Sequence, residues 1–323
     1  PIPDTYSPEF ISLIKKMLAF DENERATLTD IQSMIQSIIT PIKLTEYQQN
    51  QLDNSLSLYY GTDGVTNKQE AIENFKKLVS ETNNECPEPL FQLAHSFLYG
   101  DSNQQDKEEA IKLLRLASRK LYCPALKLLS FCYQHGFGVE KDMFTSVQLL
   151  TIAQKNDPEA SFLLGCLTFN GEAIDIKNNK YDTKEVVKQD FELAFHYFLN
   201  AKNFVPAQNY IGLCYNNGRG IEANPFEAYK YFSSAAESHF LDAVYNLAVF
   251  YLTEKPNDQI YIEKAVNLLN EAASEYHIGA CLKLSELYSE GALVQKDEKK
   301  ANFYSKIDDK NSVNFDTIYS YAL

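Results

Sequence analysis

The chain has no uninterrupted run of about 18 apolar residues, the length a membrane-spanning helix needs, so no helical span is expected. It is also short of positive charge: 30 Lys and Arg stand against 44 Asp and Glu, a formal net charge of −14. Nucleic-acid affinity rests largely on Lys and Arg neutralising phosphates, so a nucleic-acid partner is disfavoured, as is adhesion to anionic membranes. None of the cysteines forms a C-x-x-C pair, and neither they nor the histidines cluster at metal-ligand spacing. Cys86, Cys123, Cys132, Cys166, Cys214 and Cys281 fall mostly in apolar helical stretches, where a free thiol behaves as a small hydrophobe. Buried, reduced thiols in a cytosolic or nuclear protein are therefore expected, with the cytoplasm as the location. Glycine and proline are few, 12 and 11. No initiating Met and no signal peptide open the chain, which is read as a piece of a longer parent. What is present, 45% hydrophobic and 13% aromatic residues, is enough for a core.

Those residues are organised by internal repetition. AIKLLRLA from Ala110, SVQLLTIA from Ser146, AFHYFLNA from Ala194, AYKYFSSA from Ala228 and AVNLLNEA from Ala265 share small residues at the first and eighth positions and large apolar groups at the fourth and fifth. Weaker copies start at Ala71 and Ala301. The period falls within the roughly 20–50 residues typical of solenoids. Apolar positions at i, i+3, i+4 and i+7 draw one stripe along an α-helix. A second segment follows six of these copies, as in ALKLLSFCYQHGFGV from Ala125 and AQNYIGLCYNNGRGI from Ala207. Six residues into each stands a small side chain: Ala94, Ser130, Gly165, Gly212, Ala248 or Ser285. A mid-helix glycine costs about 1 kcal/mol relative to alanine, so Gly165 and Gly212 predict a close approach of two helix axes. Gly100, Gly136, Gly171, Gly218 and Gly291 are placed to end the second helices in a left-handed conformation.

The combined pattern, A-x-x-x-F/L-x-x-A followed by A-x-x-x-L-G-x-x-Y-x-x-G-x-G-V, resembles the Sel-1-like repeat family, a relative of tetratricopeptide repeats. The resemblance covers about residues 55 to 310. It departs where TEKPND replaces the loop glycines after Ala243 and where the Ser146 copy has a long return loop, Ile174 to Lys188, read as mobile. It implies an all-α fold, a right-handed superhelical solenoid of antiparallel helix pairs over residues 55–323 with a C-terminal capping segment. It also implies a scaffold that binds protein or peptide partners on its concave face without chemistry or cofactor of its own.

The opening segment reads differently. Ser7-Pro8-Glu9 is a good helix start, Phe10, Leu13, Ile14, Met17 and Leu18 make an apolar stripe, and Thr27 with Asp30 suits a capping box. The string S-x-x-F-x-x-L-I-x-K-M-L-x-x-D-x-x-x-R-x-T-x-x-D-I resembles the last two helices of the protein-kinase C-lobe, in which the arginine, here Arg25, pairs with the A-P-E glutamate. On that resemblance residues 1–40 are the incomplete end of a kinase-like domain and 41–54 a linker. The chain carries no glycine-rich loop, V-A-I-K, H-R-D, D-F-G or A-P-E, so it is not expected to transfer phosphate; ATP and Mg would belong only to an upstream kinase domain. The alternative is a free-standing adaptor, in signalling or protein quality control, with an incidental N-terminal hairpin.

Other candidate sites yield to the repeat. Gly136-Phe137-Gly138 and Gly218-Arg219-Gly220 follow helices rather than strands, which makes them turns and not phosphate loops. His95, His135, His196, His239 and His277 are scattered, and Glu108-Glu109 lies on a polar face. One row stands out. In tetratricopeptide-like relatives the first helix of each pair lines the concave surface, and its polar positions are the third, sixth and tenth. Those positions hold Lys76, Lys112, Arg115, Arg119, Lys155, His196, Lys230 and Lys306, against only Glu73 and Glu237. A basic row in an acidic chain points to a groove for an acidic or phosphorylated peptide.

Overall fold

The computed structural model describes residues 43–99, 107–171 and 189–306, and the described residues hold fourteen α-helices and no strand. The kinase-like opening segment with Arg25, the expected cap Gly100 and the return loop from Ile174 lie outside the described residues. Two compact units result. The first contains α1 (Glu46–Tyr60), α2 (Lys68–Glu81), α3 (Pro87–Leu98), α4 (Lys107–Arg119), α5 (Cys123–His135) and α6 (Met143–Ala153). The second contains α7 (Pro158–Asn170), α8 (Phe191–Asn200), α9 (Val205–Asn217), α10 (Pro225–Glu237), α11 (Leu241–Glu254), α12 (Gln259–Ser274), α13 (Ile278–Glu290) and α14 (Glu298–Ser305).

The two helix types begin in different ways. First helices start from an Asn or Asp whose side chain takes the free amides of the opening turn, as Asn67, Asp190, Asn224, Asp258 and Asp297 do. Second helices more often start with Pro in the first turn, where no amide partner is needed, in α3, α5, α7 and α9. Left-handed glycines then end them: Gly136, Gly171, Gly218 and Gly291 cap α5, α7, α9 and α13.

A recurring hydrogen bond ties a second helix to the first helix after it. The amides of Asn67, Asp142, Asp190, Asn224 and Asp297 donate to the carbonyls of Leu58, Tyr133, Thr168, Tyr215 and Tyr288, at 2.9, 2.9, 3.1, 2.9 and 2.9 Å. Each acceptor is in the last turn of a second helix, where carbonyls lack an intrahelical partner. One bond therefore satisfies an orphan carbonyl and sets the register of the next repeat. In the TEKPND repeat the Asp258 amide bonds instead to Lys255, 3.2 Å away.

The small-residue notch also faces forward along the chain. A methyl placed on Gly165 of α7 would lie 2.5 Å from the Phe198 ring of α8, and one on Gly212 of α9 would lie 2.7 Å from the Phe232 ring of α10. Both rings are at most 1% exposed. By register, Ala94, Ser130 and Ala248 precede the smaller Leu114, Leu150 and Leu269, all fully buried. At both of these glycines the next helix brings a phenylalanine.

Of the stretch expected as a linker, residues 46–54 lie in α1. Thr45 and Gln48 form a full capping box, Leu52 is completely buried, and Gly61 caps the helix in the left-handed conformation. The run of Gln, Asn and Ser in this helix leaves only a thin apolar stripe, which hid it from periodicity.

All six cysteines are free thiols, five buried and Cys123 half-buried. Burial pushes Cys132 and Cys214 up from 9.0 to about 12. A thiol whose value is raised by folding contributes stability that is complete below pH 9 and is lost as pH climbs toward 12. The urea midpoint is accordingly expected to fall between pH 9 and 11. At pH 8 iodoacetamide should label Cys123 first by mass spectrometry, with Cys132 and Cys214 labelled only in denaturant. A second expectation concerns the notch. Gly212→Ala should lose about 1–3 kcal/mol through overpacking, although alanine is the better helix former. Phe232→Leu in that background should restore part of the loss, whereas strictly additive urea-unfolding losses would show that ring and notch are not in contact.

Candidate functional site

Four of the seven candidate cations are in the first unit. Lys76 is on α2, and Lys112, Arg115 and Arg119 are on α4; both helices pack on α3. All four are exposed. Spacings of three and four residues put the α4 trio on one helix face. Arg115 is oriented by its neighbour, its Nη2 donating to the Tyr133 hydroxyl of α5 at 2.9 Å. Arg119 sits in the last turn of α4, where the helix dipole favours a cation.

The lysines have acidic neighbours on their own helices, two of which the row of third, sixth and tenth positions skipped. Lys112 pairs with Glu109 at 3.0 Å, Lys76 with Glu73 at 2.7 Å and Lys230 with Glu227 at 3.5 Å, each one turn apart on its own helix. Glu109 and Glu227 stand one residue ahead of the repeat's first position, so they escaped the count. Side-chain exposures of 66% for Lys112 and 64% for Lys230 leave these pairs solvated and weak. Such partners are easily exchanged.

Lys155, His196 and Lys230 belong to the second unit, so the candidate row is divided four and three. Lys155 is exposed in the turn before α7, His196 on α8 and Lys230 on α10. Lys306 is the exposed C-cap of α14.

The glycine loops have structural work. A methyl on Gly220 would fall 2.0 Å from the Phe191 carbonyl oxygen, and one on Gly138 would fall 2.8 Å from that of Lys107. Between its glycines Arg219 lies over the rings of Phe169 and Phe191, at 5.5 and 5.4 Å. The loop thus packs on the start of its own repeat's first helix. Of the histidines, His95 is buried among Tyr59, Phe91 and Tyr99, and His277 caps α13 through Nδ1, which accepts the Ala280 amide at 3.0 Å. Among the described residues no three His, Cys, Asp or Glu are grouped to hold a metal ion, and no helix is long and apolar enough to cross a membrane.

Sequence reasoning missed a cleft of about 440 Å³ in the second unit, where α7, α9, α11 and α13 begin. Its walls come from four separate repeats, so no local motif marks it. The aromatic residues just ahead of α9 and α11, Phe204 and Phe240, are the only sequence trace.

Comparison with known proteins fits this architecture. The sequence model of the Sel1 repeat matches residues 55–81, 90–120, 124–153, 184–203, 205–239, 241–277 and 278–306. Most of these matches run from a second helix into the next first helix, the same pairing that the notch and the recurring bond favour. The crystal structure of a Sel1 repeat protein from Oxalobacter formigenes superposes with a TM-score of 0.66 at 25% identity, covering 80% of this chain and 99% of that one. An uncharacterised protein of Neisseria meningitidis is 24% identical across 73% of this chain and 53% of its own length. Chitin synthase regulatory factor 2 of Schizosaccharomyces pombe is 27% identical across 48% of this chain and 31% of its own. The chain thus spans about half of the first relative and under a third of the second. With most of its length matched repeat by repeat, the chain belongs to the Sel1 repeat family.

Proposed function

We propose that the chain is a protein-interaction module in which the exposed α4 face takes an acidic or phosphorylated segment of a cytoplasmic partner. Sel1 repeat proteins are generally interaction modules and their fold is typically a non-catalytic scaffold. The observation carrying the finer reading is the trio Lys112, Arg115 and Arg119 on one exposed face, with Arg115 already oriented by Tyr133. Lys76 extends this surface onto α2, while Lys155, His196 and Lys230 offer separate contacts in the second unit. Arginine forks suit carboxylate and phosphate oxygens, and pre-orientation lowers the entropy lost on binding.

The kinase-like opening segment adds a reading of context: the module is attached to a serine/threonine-type kinase and recruits its substrates or regulators. An upstream sequence without H-R-D and D-F-G motifs would remove that link and leave the free-standing adaptor. The adaptor reading has its own support in the fission yeast relative, whose name describes a regulatory factor of an enzyme.

The α4 face is tested with a fluorescein-labelled octapeptide of alternating Glu and phosphoserine, followed by anisotropy. Lys112→Glu, Arg115→Glu and Arg119→Glu together should abolish binding. Each exposed charge contributes only about 0.2–1 kcal/mol, so thermal stability should stay nearly unchanged. Binding of the unaltered chain should weaken steadily with added salt. Full affinity in the triple variant would place the acidic-peptide site elsewhere.

A further inference from the structure

The cleft of the second unit has the opposite chemistry to the α4 face. Its deep wall is aromatic: Phe162 and Phe240 are 6% and 9% exposed, and Phe162 meets Phe204 and Tyr210 at ring distances of 5.3 and 5.4 Å. Tyr276 stands at its rim, 64% exposed. Glu159, Asp242 and Glu275 line it, and its lining residues include no Lys or Arg.

Among the lining residues the one basic side chain is His277, and its hydrogen bonds assign it a neutral role. Because Nδ1 accepts the Ala280 amide, Nε2 carries the proton and donates to Asp242 Oδ1 at 2.9 Å. That bond fixes the Asp242 carboxylate and leaves its second oxygen outside the pair.

Two of the acids have an ordinary explanation. Glu159 and Asp242 occupy the first turns of α7 and α11, where a negative charge complements the helix dipole. Glu275 does not. It is the C-cap of α12, at the negative end of that dipole, where a carboxylate is disfavoured. A carboxylate set against the local field, above an aromatic wall and beside two others, makes a concavity with charge complementarity for a cation.

We propose that this cleft receives an arginine side chain from an extended segment of a partner protein. The guanidinium lies against the aromatic rings while its N–H groups reach Glu275, Glu159 and the free oxygen of Asp242. The cleft volume is at the small end of the roughly 300–1,000 Å³ range of ligand sites, which suits one long side chain with its flanking backbone. The proposal is independent of the α4 face and concerns a different unit.

The test uses the full chain, ¹⁵N-labelled, titrated with acetyl-Ala-Arg-Ala-amide and with the same tripeptide carrying neutral citrulline. The arginine peptide should shift the amides of Phe204, Tyr276 and Gly279 saturably, and the citrulline peptide should not. Asp242→Asn with Glu275→Gln should weaken binding by roughly tenfold or more while the chain stays folded, with at most a small fall in melting temperature. The α4 triple variant should bind this peptide normally, which separates failure of one site from failure of the other. Shifts scattered over the acidic surface, an equal response to citrulline, or retained affinity in the double variant would each overturn the proposal. Displacement of the peptide by equimolar tetramethylammonium would do so too, by showing a site for small cations instead of an arginine-bearing segment.

Discussion

How closely a second helix approaches the first helix that follows it is the constraint on which both units depend. Phe198 and Phe232 reach full burial only because Gly165 and Gly212 offer no side chain, and a single methyl would sit well inside van der Waals contact. Where the facing residue is a leucine, alanine or serine takes the glycine's place. Ser55 before Phe75 is the exception, with both side chains fully buried. At the other pairs the sum of two volumes varies less than either residue, as expected of interiors packed to crystal-like density.

The amide-to-carbonyl bond between repeats acts with that contact. It joins the last turn of a second helix to the N-cap of the next first helix at a constant interval, except from Thr168 to Asp190, where the long loop intervenes. Because both ends are main chain, the bond survives any exchange of side chains. The left-handed glycine two turns of loop earlier brings the chain round to meet it. In the TEKPND repeat both glycines and the bond are gone together, and α12 is started by a local turn from Lys255 instead. Loop glycine and inter-repeat bond behave as one device.

Much of this was legible in the sequence because the repeat samples the same environment again and again. Ala71, Ala110, Ala194, Ala228 and Ala265 are all fully buried, as small residues at a helix crossing must be. Periodicity could say that Gly165 faces something close; it could not say whether that is its own partner helix or the next one. It failed at α1, whose stripe is Leu52, Leu56 and Tyr59 in a polar background. It failed again at the acidic-aromatic cleft, since residues from four repeats meet there only after the helices have stacked. Charged surface positions were legible as a row but not as pairs, because Glu109 and Glu227 lie outside the row that was read.

Those pairs bear on what the basic face can do. A lysine already matched with a glutamate one turn away looks neutralised, yet an exposed pair of this kind is worth only about 0.3–0.5 kcal/mol and is screened by salt. Exchanging it for a partner's carboxylate is close to neutral for each lysine. For the binding proposed above, geometry is then the source of discrimination, and Arg115 is held by the Tyr133 hydroxyl on the adjacent helix. Arginine also offers two parallel donors where lysine offers a point charge. On the proposed reading the trio divides its labour: Lys112 and Arg119 supply field, and Arg115 supplies the direction from which an anionic side chain arrives.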